Sequence, residues 1–160
     1  MTSFFRNCLS IYKYPPTPTN NLINAILQSV SPIFNLLTIK EKREFIKYFN
    51  LQVSKKVSNN EFYFYNKLAK YGKQYEIQEK FQTNYYSFSA DIVNTLCNYL
   101  DINIFITEWL TNTSSFTYTM FTTTHNFERK STVILFTKDR QKFIPLYDKE
   151  RNYLINGLKK

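Results

Sequence analysis

The chain has two cysteines, Cys8 and Cys97, and one histidine, His125, among 160 residues. Two thiols this far apart supply neither a disulfide framework nor the spacing of a metal site, which fits a reducing compartment. No cofactor is expected. No apolar run approaches the length of a membrane span, and the start of the chain lacks the layout of a signal peptide. The expected protein is therefore intracellular, cytoplasmic or virion-associated, with no membrane partner. Glycine is nearly absent, with two residues, whereas lysine, asparagine, tyrosine, phenylalanine and isoleucine abound. The enriched residues share A/T-rich codons, so mutational bias explains the skew as well as selection does. It points to an AT-rich genome such as that of a large DNA virus, a parasite or a mollicute.

What is present is a core. Apolar residues make up 43% and aromatic residues 18%, which excludes wholesale disorder. At this length the simplest arrangement is one domain. We expect residues 1–16 to form an aromatic arm ended by Pro15-Pro16, and residues 17–160 to form the domain. The net charge of +9 favours anionic partners. The lysines are spread along the chain, however, as on a solvated surface.

Local patterns give the element order. Asn20 or Asn21 caps a helix to about Val30, with Leu22, Ile26 and Val30 on one stripe. Ser31-Pro32 ends it and starts another turn. Thr38 and Glu41 have capping-box spacing and open a helix through about Leu51. Residues 52–60 read as a polar link, residues 61–71 as an aromatic-rich helix closed by Gly72, and residues 73–88 as ambiguous. A helix over 90–100 follows. The period then changes to two at Ile102, Ile104 and Ile106 and at Phe116, Tyr118 and Met120, with further strands at 133–136 and 143–147. Residues 138–141 suit a hairpin turn, and Asp148 can cap a last helix reaching Leu158. Helices first and strands later indicate an α+β fold, with N-terminal helices packed on a small, mostly antiparallel sheet.

Three segments carry a family resemblance. Pro18-Thr19-Asn20-Asn21-Leu22-Ile23-Asn24-Ala25-Ile26 resembles the nucleophile motif D-G-N-C-L-F-R-A-I of the ovarian-tumour (OTU) deubiquitinating cysteine proteases. Lys142-Phe143-Ile144-Pro145-Leu146-Tyr147 is similar to their closing G-H-Y-N-P-L-Y. Residues 89–106 resemble the helix-strand step between them. The resemblance implies an OTU-like fold over residues 17–147. It also puts Pro18 at the aspartate position, Asn21 at the cysteine, Lys142 at the histidine and Ile144 at the polar residue that follows.

The chemistry of those four residues can be read directly. Acyl transfer needs a thiolate, a base to generate it and a group orienting that base. An asparagine amide is not a competent nucleophile, and a lysine is protonated unless strongly desolvated. The expectation is therefore a pseudoprotease and not an enzyme. Of the other reactive groups, Cys97 sits mid-helix as a small buried thiol. Cys8 lies in a segment, Asn7-Cys8-Leu9, that mimics the motif, but Pro15-Pro16 cuts off any following helix. His125 falls in a polar loop, where a single histidine is usually just solvated.

The function expected is a protein-interaction or scaffold module, virus-encoded, with ubiquitin among its candidate partners. The resemblance implies ubiquitin contacts from a helical arm near residues 52–75 and from strand-connecting loops. The alternative is single-stranded nucleic acid. Tyr63, Tyr65, Lys67, Lys70 and Tyr71 interleave rings with lysines, as a stacking platform would need. Core packing explains the same aromatic density.

Overall fold

The computed structural model describes residues 21–84, 86–148 and 152–155. The expected arm at residues 1–16, Cys8 and Pro18 lie outside them. Helix α1 (Asn21–Val30) is buried all round, from Leu22 through Ser29, because it is apolar on more than one face and lies at the centre of the core. Ser31 stops it: its hydroxyl accepts a hydrogen bond from the Phe34 amide (3.2 Å), and Pro32 opens α2 (Pro32–Asn35). Phe34 is driven fully inside. The Asn35 side-chain amide reaches back to the Gln28 carbonyl (2.9 Å), fixing the turn on the end of α1.

Thr38 and Glu41 form the expected capping box at the start of α3 (Ile39–Val57). This helix runs six residues past Leu51, so residues 52–57 are helix and not link. The reason lies in its inner stripe of Ile46, Asn50, Val53, Ser54 and Val57. Val53 and Val57 bury completely, and the Ser54 hydroxyl finds the Gln78 carbonyl at 3.2 Å. Lys55 and Lys56 in the last turn complement the helix dipole.

Helix α4 (Asn60–Tyr65), capped by Asn59, ends six residues short of the expected Tyr71. Lys67 takes a left-handed conformation (φ 54°), and a 3-10 turn (Leu68–Lys70) buries Leu68. The ambiguous stretch contains α5 (Gln74–Gln82), held to the core by Ile77 and Phe81. Helix α6 (Ala90–Leu100) ends at Asp101, also left-handed (φ 58°). With glycine scarce, positive φ falls to Lys67, Asn84, Asp101, Ser114, Asn126, Asp139 and Arg140. Asn and Asp tolerate it best.

The sheet order is β2-β1-β3-β4, with β1 (Asn103–Leu110), β2 (Ser115–Phe121), β3 (Thr132–Lys138) and β4 (Lys142–Leu146). The central pair β1/β3 is parallel; β1/β2 and β3/β4 are antiparallel. The expected C-terminal helix is absent where the chain is described. Leu154–Ile155 form β5, antiparallel to the start of β3. The Asp148 carboxylate instead accepts from the Asn152 amide (2.8 Å), and Leu154 packs against the main core. Ile104, Ile106, Val133, Leu135 and Phe143 face the helices. Ile134 and Leu146 form a smaller cluster with Phe105, Phe136 and Ile155 on the other face, as strand alternation requires.

Candidate functional site at the carboxyl ends of the parallel strands

Strands β1 and β3 run in the same direction and end together, Trp109 opposite Lys138. Ligands of sheets with parallel strands gather at such ends. The start of α1 is brought to the same place, because the Phe143 amide donates to the Asn21 side-chain oxygen. A residue at the first position of the central helix is thus tied to the second residue of β4, 122 positions away in the chain.

Around this junction the tertiary fold assembles a polar and aromatic cluster. Phe88 packs on Phe143 with ring centroids 5.7 Å apart. The Arg140 guanidinium lies over Phe88 at 4.9 Å, and its Nε donates to Glu108 Oε2 at 2.8 Å. The Glu108 side chain is 10% exposed and that of Arg140 57%, so the arginine covers an otherwise enclosed carboxylate. Asp139 and Arg140 are the central residues of the β3–β4 turn, both at positive φ, with Gln141 N bonded to the Lys138 carbonyl at 3.2 Å. This is the arrangement a type I′ turn uses. Asp139 also accepts from the Thr111 amide (2.9 Å) and hydroxyl (2.5 Å). Those bonds, the hydroxyl's first, hold its carboxyl below the usual range. The hairpin tip is therefore pinned to the end of β1. It borders an open cleft of about 700 Å³ lined by Glu108, Thr117, Thr119, Asp139 and Arg140.

Lys142 and Ile144, both half-buried, follow Asn21 to this junction on β4. Alternation along β4 puts them on the face shared with Leu146, whereas Phe143 faces the helices. Asn21 thus meets the backbone of β4 between Lys142 and Ile144. The structure brings these three of the four motif positions into one region.

The other reactive groups lie elsewhere. Cys97 is fully buried in α6, and burial pushes its thiol far above the ordinary range. His125 follows β2, whose last residue pairs with Ile104 at the start of β1, so it sits at the opposite end of the sheet from Asn21. It is not simply solvated. Its ring stacks on Tyr65 at 4.1 Å, and its Nε2 lies 2.7 Å from the Tyr65 carbonyl oxygen. Beside it, the Thr124 hydroxyl donates to the Asn66 carbonyl (2.7 Å). Together these contacts dock the loop after β2 onto the helical arm. Among the described residues no cluster of three His, Cys, Asp or Glu side chains could hold a metal ion.

The rings and lysines interleaved along the arm do not share one surface. Tyr63 is buried and donates its hydroxyl to the Gly72 carbonyl at 2.5 Å, while Tyr65 points outward against His125. Lys67 makes the left-handed turn, and Lys70 lies over the Tyr71 ring at 6.0 Å.

Sequence reasoning missed Glu108, Arg140 and Phe88. One signal was available: Glu108 is the single charge in the strand NIFITEWL, at the same parity as the inward-facing Ile104 and Ile106.

No family profile and no curated protein matches the chain. Two solved structures do. An OTU domain in complex with ubiquitin superposes on 91% of this chain and 74% of its own, with a TM-score of 0.54 and 14% identity. The viral OTU domain protease of Dera Ghazi Khan virus superposes on 88% of this chain and 83% of its own, with a TM-score of 0.51 and 19% identity. The chain therefore has an OTU-like fold, α+β with a mixed sheet, as its motifs imply. The same likeness overturns the expectation of a non-enzyme. The architecture is shared with a protease along nearly the whole chain, and side-chain identity at Asn21, Lys142 and Ile144 does not establish that catalysis is lost.

Proposed function

We propose that this OTU-like chain is a protein-interaction module whose partner is ubiquitin. The observation that carries the reading is the likeness to an OTU domain held in complex with ubiquitin, which extends over 91% of the chain. The helical arm supplies a surface of suitable chemistry. Phe64, Tyr65 and Tyr75 expose about two-thirds of their area. Their mounting is firm, because Tyr63 and Leu68 are buried behind them, and the Tyr63 hydroxyl and the His125 stack tie down the C-terminal half of α4. Pre-ordered aromatic side chains lose little entropy on docking and are the residue types that dominate binding hot spots. A +9 chain gains no electrostatic steering toward a basic partner, so binding through the arm is apolar in origin.

Isothermal titration with monoubiquitin at low and high salt tests this. The expected result is affinity retained at high salt and reduced at least about tenfold in Phe64→Ala/Tyr65→Ala, the loss typical of a hot-spot pair. Absence of binding, or binding that vanishes with salt and ignores the double substitution, refutes it. Incubating the same protein with diubiquitin reads hydrolysis directly. Cleavage abolished by Asn21→Ala would assign chemistry to the start of α1.

A further inference from the structure

We infer that the α2–α3 turn and the adjoining outer face of α3 form a docking surface for an anionic lipid bilayer. Three aliphatic side chains within seven residues are exposed at this turn, Ile33 by 68%, Leu36 by 85% and Ile39 by 58%. The turn presents them rigidly. Phe34, opposite, is fully buried and packs on Phe45 at 5.5 Å, and the Asn35 side chain bonds the carbonyls of Gln28 and Ser31. Folding the three side chains inward would undo those contacts, so they stay in water unless something covers them.

The collar around the turn identifies the cover. Lys40, Arg43 and Lys47 are all exposed and recur at i, i+3 and i+7, one face of α3 starting beside Ile39. Glu44 shares that face and leaves it net positive. Tyr48 and Leu51 continue the stripe, exposed by 65% and 43%. Aliphatic groups at a protruding tip, a cationic row behind them and a tyrosine at its edge are the ingredients of an interfacial segment. Such segments sink ~5–10 Å into the headgroup–acyl boundary, while the lysines meet anionic headgroups. A protein partner fits less well, because the core of a stable protein interface is aromatic-rich and depleted of lysine, whereas here a single tyrosine accompanies Lys40, Arg43 and Lys47. A fluid bilayer needs no complementary shape.

No helix among the described residues is long and apolar enough to cross a membrane. The expectation of no membrane partner rested on that same criterion, which excludes spanning and leaves surface binding open. The inference is independent of the ubiquitin reading, since it uses none of the side chains assigned to ubiquitin there.

Co-sedimentation of the full chain with phosphatidylcholine vesicles, with and without phosphatidylserine, tests it. The expected result is binding to the phosphatidylserine vesicles that falls at least about tenfold in Ile33→Ser/Leu36→Ser/Ile39→Ser, with the melting temperature unchanged because these side chains are exposed. Lys40→Glu/Arg43→Glu/Lys47→Glu should remove the preference for phosphatidylserine. Three outcomes overturn the inference. One is no binding by the unsubstituted chain. Another is equal binding by the triple-serine variant, which would make the attraction mere net charge. The third is a dimer in sedimentation velocity that the triple-serine variant dissociates, which would make the turn a contact between copies.

Discussion

Replacing Asp91 with alanine should loosen the junction on which the helical arm turns. Asp91 lies in the first turn of α6 with its side chain 10% exposed. One carboxylate oxygen accepts from the Ser89 hydroxyl and from the Ile92 amide (2.9 Å), and the other takes the Lys80 ammonium at 2.5 Å. Gly72, between the 3-10 turn and α5, sits against it: a Cβ there would meet Asp91 Oδ2 at 3.6 Å. Losing the hydrogen bonds that its carboxylate accepts from the Ile92 amide and the Ser89 hydroxyl costs about 1 kcal/mol. The ion pair adds about 0.5–1 kcal/mol after discounting for screening, since the Lys80 side chain is 43% exposed. The total, about 2 kcal/mol, corresponds to a fall of roughly 4–8 °C in melting temperature for a domain of this size.

The acid limb gives a sharper readout. Desolvation acts to raise the Asp91 pKa, but the Lys80 and Ser89 hydrogen bonds, the Lys80 charge and the Ile92 amide together bring it below 3.8. A depressed folded value stabilises the protein above the unfolded pKa, and that stabilisation is lost as pH falls through the folded one. The stability gap between wild type and Asp91→Asn should therefore be constant from pH ~5 upward and close below pH ~3.8. Urea melts across this range measure it. Acid limbs that stay parallel, or a loss in Asp91→Ala under about 0.5 kcal/mol, would show that the cluster does not hold the junction.

Asn21→Ala should cost about 1 kcal/mol by leaving the partly buried Phe143 amide unpaired, and hydrogen exchange at Phe143 should accelerate while exchange in α6 does not. Arg140→Ala uncovers the enclosed Glu108 carboxylate and removes the contact with Phe88. A loss of about 1–2 kcal/mol at neutral pH is expected, measured by denaturant unfolding. Cys97 should be alkylated at least about 100-fold more slowly in native than in denatured protein, because its thiol is buried and held protonated. Peptide mass spectrometry at that residue decides it.

The elements legible from sequence were those set by local chemistry. The caps at Ser31-Pro32 and Thr38/Glu41 formed as read because a hydroxyl and a backbone amide three residues apart satisfy each other without help from the rest of the chain. The alternation of Ile104 and Ile106 in β1 was visible because one buried face imposes its pattern on a short stretch of chain, whereas Phe116 and Tyr118 of β2, read by the same period, are exposed. Tertiary contact decided the rest. Residues 52–57 are helix because Val53 and Val57 find a buried face, which their polar neighbours conceal in the sequence. Leu154–Ile155 form a strand because Thr132 and Val133 at the start of β3 pair with them, an opportunity no local propensity records. The gathering of Asn21, Phe88, Glu108, Arg140 and Phe143 spans more than a hundred residues and depends on β1 and β3 ending side by side. Pairings of that range are fixed by sheet register and helix packing, and neither is written in the spacing of any single segment.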